Sequence, residues 1–142
     1  MKKIVLIPIE SFKRDALSRV YIANEFAKNE IEVIIGHPEI LLNVILPSIK
    51  HPIWLGRFIS LTGDTRYDEK LLKILKNQKG LMYYIHDEGA FFADDNYDQA
   101  LEMLHNPLLM AHDVVKKVCV WGDYQKIYLQ QRINICVSSI SM

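Results

Sequence analysis

The stretch Leu81 to Phe92 (LMYYIHDEGAFF) joins an unbroken apolar and aromatic run to a cluster of titratable side chains. Leu81 to Ile85 reads as a buried strand. His86, Asp87, Glu88 and Gly89 follow at once. In open α/β sheets ligands bind just beyond the carboxyl ends of the strands, so titratable groups there stand where chemistry is done. Of two adjacent carboxylates, Asp87 and Glu88, one could act as base or nucleophile with its acidity set by its neighbours. The same residues also suit a strand-to-helix turn in which Asp87 or Glu88 caps backbone amides. The sequence leaves both roles open.

Other polar residues fall at expected strand ends. The first strand delivers Glu10, Lys13 and Arg14, the second Gly36 and His37, the third Thr62, Gly63 and Asp64, and the fifth Gly122 and Asp123. If the strands run parallel, these groups converge on one edge with His86, Asp87 and Glu88. Arg14 at a loop-to-helix junction could hold a carboxylate or phosphate bidentately, or be a solvated first-turn charge. Several signatures are missing. No GxGxxG or GxxxxGK[ST] offers a phosphate cradle, and no GxSxG suggests a hydrolase elbow. No HExxH or CxxC spacing suggests a metal, so neither metal nor cofactor is expected.

The elements that must position these residues alternate. Ile4 to Ile9 reads as a strand, and about Asp15 to Lys28 as a helix with Ala16, Val20, Ala23 and Ala27 on one face and Leu17 and Tyr21 beside them. Glu32 to Gly36 is a second strand, Glu39 to Ile49 a short helix stopped near Pro47, and Pro52 to Leu61 a third strand with Gly56 as a bulge or close approach. Thr65 and Asp68 suggest a capping box before a helix that turns Tyr67, Leu71, Leu72, Ile74 and Leu75 inward and ends before Gly80. Tyr97 to Lys117 is helical by spacing, split at Asn106-Pro107. Val118 to Trp121, a helix over Tyr124 to Arg132, and the apolar run Ile133 to Val137 complete the chain. The pattern predicts one α/β domain over residues 1–142, a Rossmann-like, doubly wound, mostly parallel sheet of five to six strands with helices on both faces.

Composition narrows the function. Half of the 142 residues are apolar, and 17 basic residues balance 17 acidic ones. No global field would draw in nucleic acid, and no apolar run could span a bilayer. Met1-Lys2-Lys3 before IVLIPI starts like a signal peptide, but Glu10 ends the run and no cleavage site follows, so a cytoplasmic protein is expected. Cys119 and Cys136 each sit in an apolar run and are expected to be buried free thiols.

The run IPIESFKRDALSRVYIANEFAKNEIEVIIG resembles the opening of bacterial surface carbohydrate biosynthesis proteins: a strand ending in P-x-E, an Arg-acidic pair, an Ala/Leu-rich helix, and a strand ending in Gly. The likeness continues through Lys79-Gly80, the acidic element His86 to Gly89, and Trp121-Gly122, as far as about Arg132. Such proteins are similar to GT-B glycosyltransferases, whose two Rossmann-like domains enclose a cleft. The resemblance implies an N-terminal, acceptor-side domain with Asp87 or Glu88 catalytic and Glu10, Lys13, Arg14, His86 and Gly89 toward a sugar or sugar phosphate. His86 stands where the family more often has an acidic residue. The chain stops at INICVSSISM, about where that family enters its donor domain, so a truncated or split protein, inactive alone, is expected. A nucleotide sugar would bind only with the second domain supplied. The resemblance also allows a position peripheral to the inner membrane, and an apolar interdomain face that pairs with a complementing C-terminal domain or in a homodimer. The alternative is a stand-alone α/β module, not an enzyme, that binds a small anion or a protein partner.

Overall fold

Along β1 (Ile4–Pro8) successive side chains enter different layers: Leu6 packs into one apolar cluster, Val5 and Ile7 into another. A strand buried on both faces belongs in the middle of a parallel sheet. The computed structural model describes residues 3–57, 66–86, 108, 111 and 113–140.

Six strands form one sheet: β1, β2 (Glu32–Gly36), β3 (Ile53–Gly56), β4 (Leu81–Ile85), β5 (Val115–Trp121) and β6 (Cys136–Ile140). Their order is β2-β1-β3-β4-β5-β6, and every neighbouring pair is parallel. The α-helices among the described residues are α1 (Phe12–Lys28), α2 (Pro38–Ile40, continued by a π turn over Leu41–Ile45 and a 3-10 turn over Leu46–Ser48), α3 (Arg66–Asn77) and α4 (Gly122–Gln130). This is the expected α/β, Rossmann-like, doubly wound arrangement.

Right-handed crossovers decide which face each helix covers. Only the step from β1 to β2 runs toward that edge; the later steps run the other way. Among the described helices α1 therefore lies alone on its face, with Ile22, Ala23 and Phe26 against Val5, Ile7 and Leu55. Leu41 and Leu42, Leu71 and Leu75 of α3, and Tyr128 and Leu129 of α4 pack on the opposite face around Trp54 and Met82. No helix among the described residues is long and apolar enough to cross a membrane.

Several boundaries and faces differ from the sequence reading. Helix α1 starts at Phe12, a turn before Asp15, and its inner face runs through Ala16, Arg19, Ala23 and Phe26. Leu17, Val20 and Tyr21 point outward. Apolar residues occupy both sides of this helix, so spacing alone could not choose between them; the bulk of Ile22 and Phe26 and the inward bonding of Asp15 do. In α3, Tyr67 is exposed while Leu71 and Leu75 are fully buried. Strand β5 begins at Val115, so Val115 to Lys117 are strand, and an irregularity between Met82 and Tyr83 realigns β4 with β5 at Lys117. Leu108, Ala111 and Val115 are buried, a spacing that a turn leading into a strand satisfies as well as a continuous helix. Strand β6 begins at Cys136 rather than Ile133, which is buried beneath the preceding turn. The remainder of the expected third strand, the Thr65 cap, and the helix over Tyr97 to Asn106 lie outside the described residues.

The cysteines are free but not buried as expected: Cys119 is half-buried and Cys136 exposed. Both belong to the β5–β6 part of the sheet face that α1 occupies, where register aligns Tyr83 with Lys117 and Lys117 with Cys136. Burial pushes the Cys119 thiol pKa up, against the pull of Lys117 and reinforced by the nearby Cys136.

Candidate site at the carboxyl ends of β1 and β3

A close approach and an ion pair bring β1 and β3 to a common rim. Gly56 ends β3 where a Cβ would meet Pro8 Cγ at 2.7 Å. Register along β3 and β4 is regular, so Gly56 is a close approach and not a bulge. One residue further, the fully buried Trp54 donates from Nε1 to the carbonyl of Arg57 at 3.2 Å, which fixes the backbone as it leaves the strand.

Arg57 is the centre of the rim. Its side chain is only 8% exposed and bonds to Glu10, which follows β1. Arg57 Nε donates to Glu10 Oε1 at 3.0 Å, and Nη2 donates to Oε2. Burying a guanidinium is costly unless its donors are met, and here a carboxylate meets two of them in a two-pronged way. The Glu10 carboxylate also lies 3.5 Å from Arg14 Nη2, whose side chain is 49% exposed.

Arg14 is held in turn by Asp15. Its Nε donates to Oδ1 at 2.6 Å and its Nη2 to Oδ2 at 3.2 Å. Asp15 Oδ2 also accepts from the backbone amides of Ser11 at 3.0 Å and Glu10 at 3.2 Å. These amides precede or open α1 and lack partners within the helix, so the buried carboxylate does the work of a cap, reaching backward as the acidic member of a capping box does. Burial alone would push the Asp15 pKa up. The hydrogen bonds from Arg14 and Ser11, the Arg14 charge and the Glu10 amide outweigh it, lowering the value from 3.8 to about 2.

That shift has a sign and a window. Between about pH 4 and pH 2 the unfolded chain binds a proton that the folded chain refuses, so stability rises with pH there. The contribution, about 2 kcal/mol at full size, is present above the unfolded pKa and is lost as pH falls through about 2. Acid titration of the unfolding free energy should show this loss, and Asp15→Asn should flatten it.

Of the residues expected to converge, Glu10 and Arg14 do meet. Lys13 is exposed on the first turn of α1, two residues before the buried Asp15. His86 follows β4 and is 3% exposed; its amide donates to Cys119 O at 2.9 Å, and its ring stacks near Tyr84 with centroids 6.3 Å apart. Asp87, Glu88 and Gly89 lie outside the described residues, as do Thr62, Gly63 and Asp64. His37 follows β2 and caps α2, its Nδ1 accepting from the amide of Glu39 at 3.4 Å. Asp123 accepts from Ser139 Oγ at 3.1 Å, in the first turn of α4.

Sequence reasoning missed Arg57. It stood inside an apolar run expected to be strand as far as Leu61, where a charge reads as an edge decoration. The available signal was Gly56-Arg57, a glycine and a cation interrupting that run. Among the described residues no three His, Cys, Asp or Glu side chains gather as metal ligands.

The position of Glu10 and Arg57 has topological meaning. Chain direction from β1 leads to β2 on one side, whereas β3 lies on the other. The gap between the carboxyl ends of β1 and β3 is thus the switch point of the sheet, where open α/β folds keep their ligand crevice. The class defined is a Rossmann-like α/β domain with a charged pair across its switch point. No protein-family model matches the chain, and no curated protein matches it.

Proposed function

We propose that the crevice between β1 and β3 binds a hydroxyl-rich ligand, a sugar or sugar phosphate, and that the chain acts as the acceptor-side domain of a GT-B-like glycosyltransferase of surface polysaccharide biosynthesis. The observation that carries this is the Glu10–Arg57 pair lying across the switch point. Glu10, held in place by the buried Arg57, is partly exposed and keeps lone pairs to accept from hydroxyls, and the half-exposed Arg14 adds a cation for an attached phosphate.

The motifs behind the family resemblance support the reading in physical terms. The P-x-E run brings Pro8 against Gly56 and Glu10 against Arg57, and the Arg14-Asp15 pair ties that rim to α1. Trp121-Gly122 ends β5 with Gly122 at φ 66°, a turn that suits glycine. In this reading Asp87 or Glu88, next in sequence after His86, supplies the catalytic carboxylate, and a donor-binding domain supplies the nucleotide sugar.

Calorimetric titration with monosaccharides, sugar phosphates, inorganic phosphate and nucleotides tests the proposal. Sugar phosphate should bind more tightly than inorganic phosphate, and Arg14→Ala should weaken it about tenfold, the loss of one charge-assisted contact. Circular dichroism of the variant separates that loss from misfolding. Equal affinity for phosphate and sugar phosphate would instead favour a small-anion module. Unchanged affinity in Arg14→Ala would remove this residue from the site.

A further inference from the structure

Helix α1 carries a row of side chains that its own fold leaves in water. At about 100° per residue, positions four apart line up as a ridge inclined to the helix axis. On the side away from the sheet that ridge reads Lys13, Leu17, Tyr21, Glu25, and all four are exposed. Leu17 is 86% exposed and Tyr21 66%, with Val20 at 54% beside them. Single exposed apolar residues are ordinary, but three contiguous ones on one helix face mark a contact surface.

The order of charges along the ridge says what fits it. A cation stands at one end, an anion at the other, and two large apolar residues lie between. Laid antiparallel on a second copy of itself, the ridge sets Lys13 opposite Glu25, Leu17 opposite Tyr21, and the same pairs again by symmetry. That is the self-complementarity a two-fold interface demands. The contact spans roughly 18 Å from Lys13 to Glu25 at 1.5 Å per residue. Glu25 accepts from Lys28 at 2.7 Å on the surface, and a carboxylate keeps lone pairs for a second donor. With 17 basic and 17 acidic residues, no net charge opposes self-association.

We propose that the chain forms a two-fold dimer through antiparallel packing of α1 on α1 along the ridge Lys13–Leu17–Tyr21–Glu25. The occupant of this face is a second copy of the same chain.

Sedimentation velocity and light scattering over a wide concentration range test this with four proteins: the parent chain, Lys13→Glu, Glu25→Lys, and the double exchange. The parent should pass from the mass of one chain to that of two as concentration rises. Each single reversal sets like charges against each other twice, and should raise the dimer dissociation constant about tenfold or more. The double exchange should restore dimerisation, because residue 13 faces residue 25 of the other copy. All four positions are on the surface, and circular dichroism should report unchanged folding. A parent chain that stays monomeric throughout would overturn the proposal. So would a dimer that all variants retain, or single reversals that weaken it while the double exchange fails to recover it.

Discussion

Replacing Glu10 with alanine should lower the unfolding free energy by about 3 kcal/mol, the low end of the cost of stripping a carboxylate from a buried cation. The reason is Arg57, whose guanidinium is nearly out of water and has its Nε and Nη2 on the Glu10 oxygens. Glu10→Gln should cost less, since its amide oxygen can still accept from one prong. Removing both charges in Glu10→Ala/Arg57→Met should cost less than the two single changes summed, because the apolar pair leaves no ion to desolvate. Urea denaturation should show these losses as midpoint shifts at constant slope. A cost below about 1 kcal/mol for Glu10→Ala would place the pair among screened surface bridges and withdraw its structural role.

Gly80→Ala should be as damaging, by about 3 kcal/mol, for a steric reason. A Cβ there would lie 2.7 Å from the carbonyl oxygen of Pro52 and 2.9 Å from both Leu75 Cδ2 and Pro52 Cγ. The Pro52 carbonyl cannot retreat freely, since it accepts from the amide of Leu81 at 2.9 Å to start the β3–β4 ladder. Gly122→Ala makes the control. Its Cβ would meet nothing within 4 Å, so only the left-handed backbone at φ 66° is strained, at about 1 kcal/mol. Thermal unfolding of both variants checks the contrast: comparable losses would mean that Pro52 and Leu75 yield to the added Cβ, and that space before β4 does not govern Gly80.

The alternation of apolar runs with amphipathic stretches was enough to recover a parallel, doubly wound sheet, because buried parallel strands such as Val5–Ile7 and Leu81–Ile85 are apolar throughout. Element ends were harder. Val115 completes a helical spacing and also begins a strand, and only its pairing with Met82 distinguishes the two. The inner face of α1 was misread because Leu17, Val20 and Tyr21 form as good an apolar stripe as the residues that pack inward. At the rim, Glu10 and Arg14 could be placed from their positions after a strand. Arg57 could not, because its partner lies 47 residues away in sequence and no local pattern encodes such a pairing. Cysteine burial failed for a related reason: apolar neighbours say that a strand is present, not which face a helix will cover.

Pro8 against Gly56 has a consequence for how such a crevice could diversify. Where β1 and β3 end, a proline ring meets a residue without a side chain, and neither has rotamers to exchange. New ligand preferences could therefore not arise from the bottom of the cleft without disturbing the pairing of β1 and β3. They would have to arise at its margin, where Arg14 reaches solvent on a long, adaptable stem.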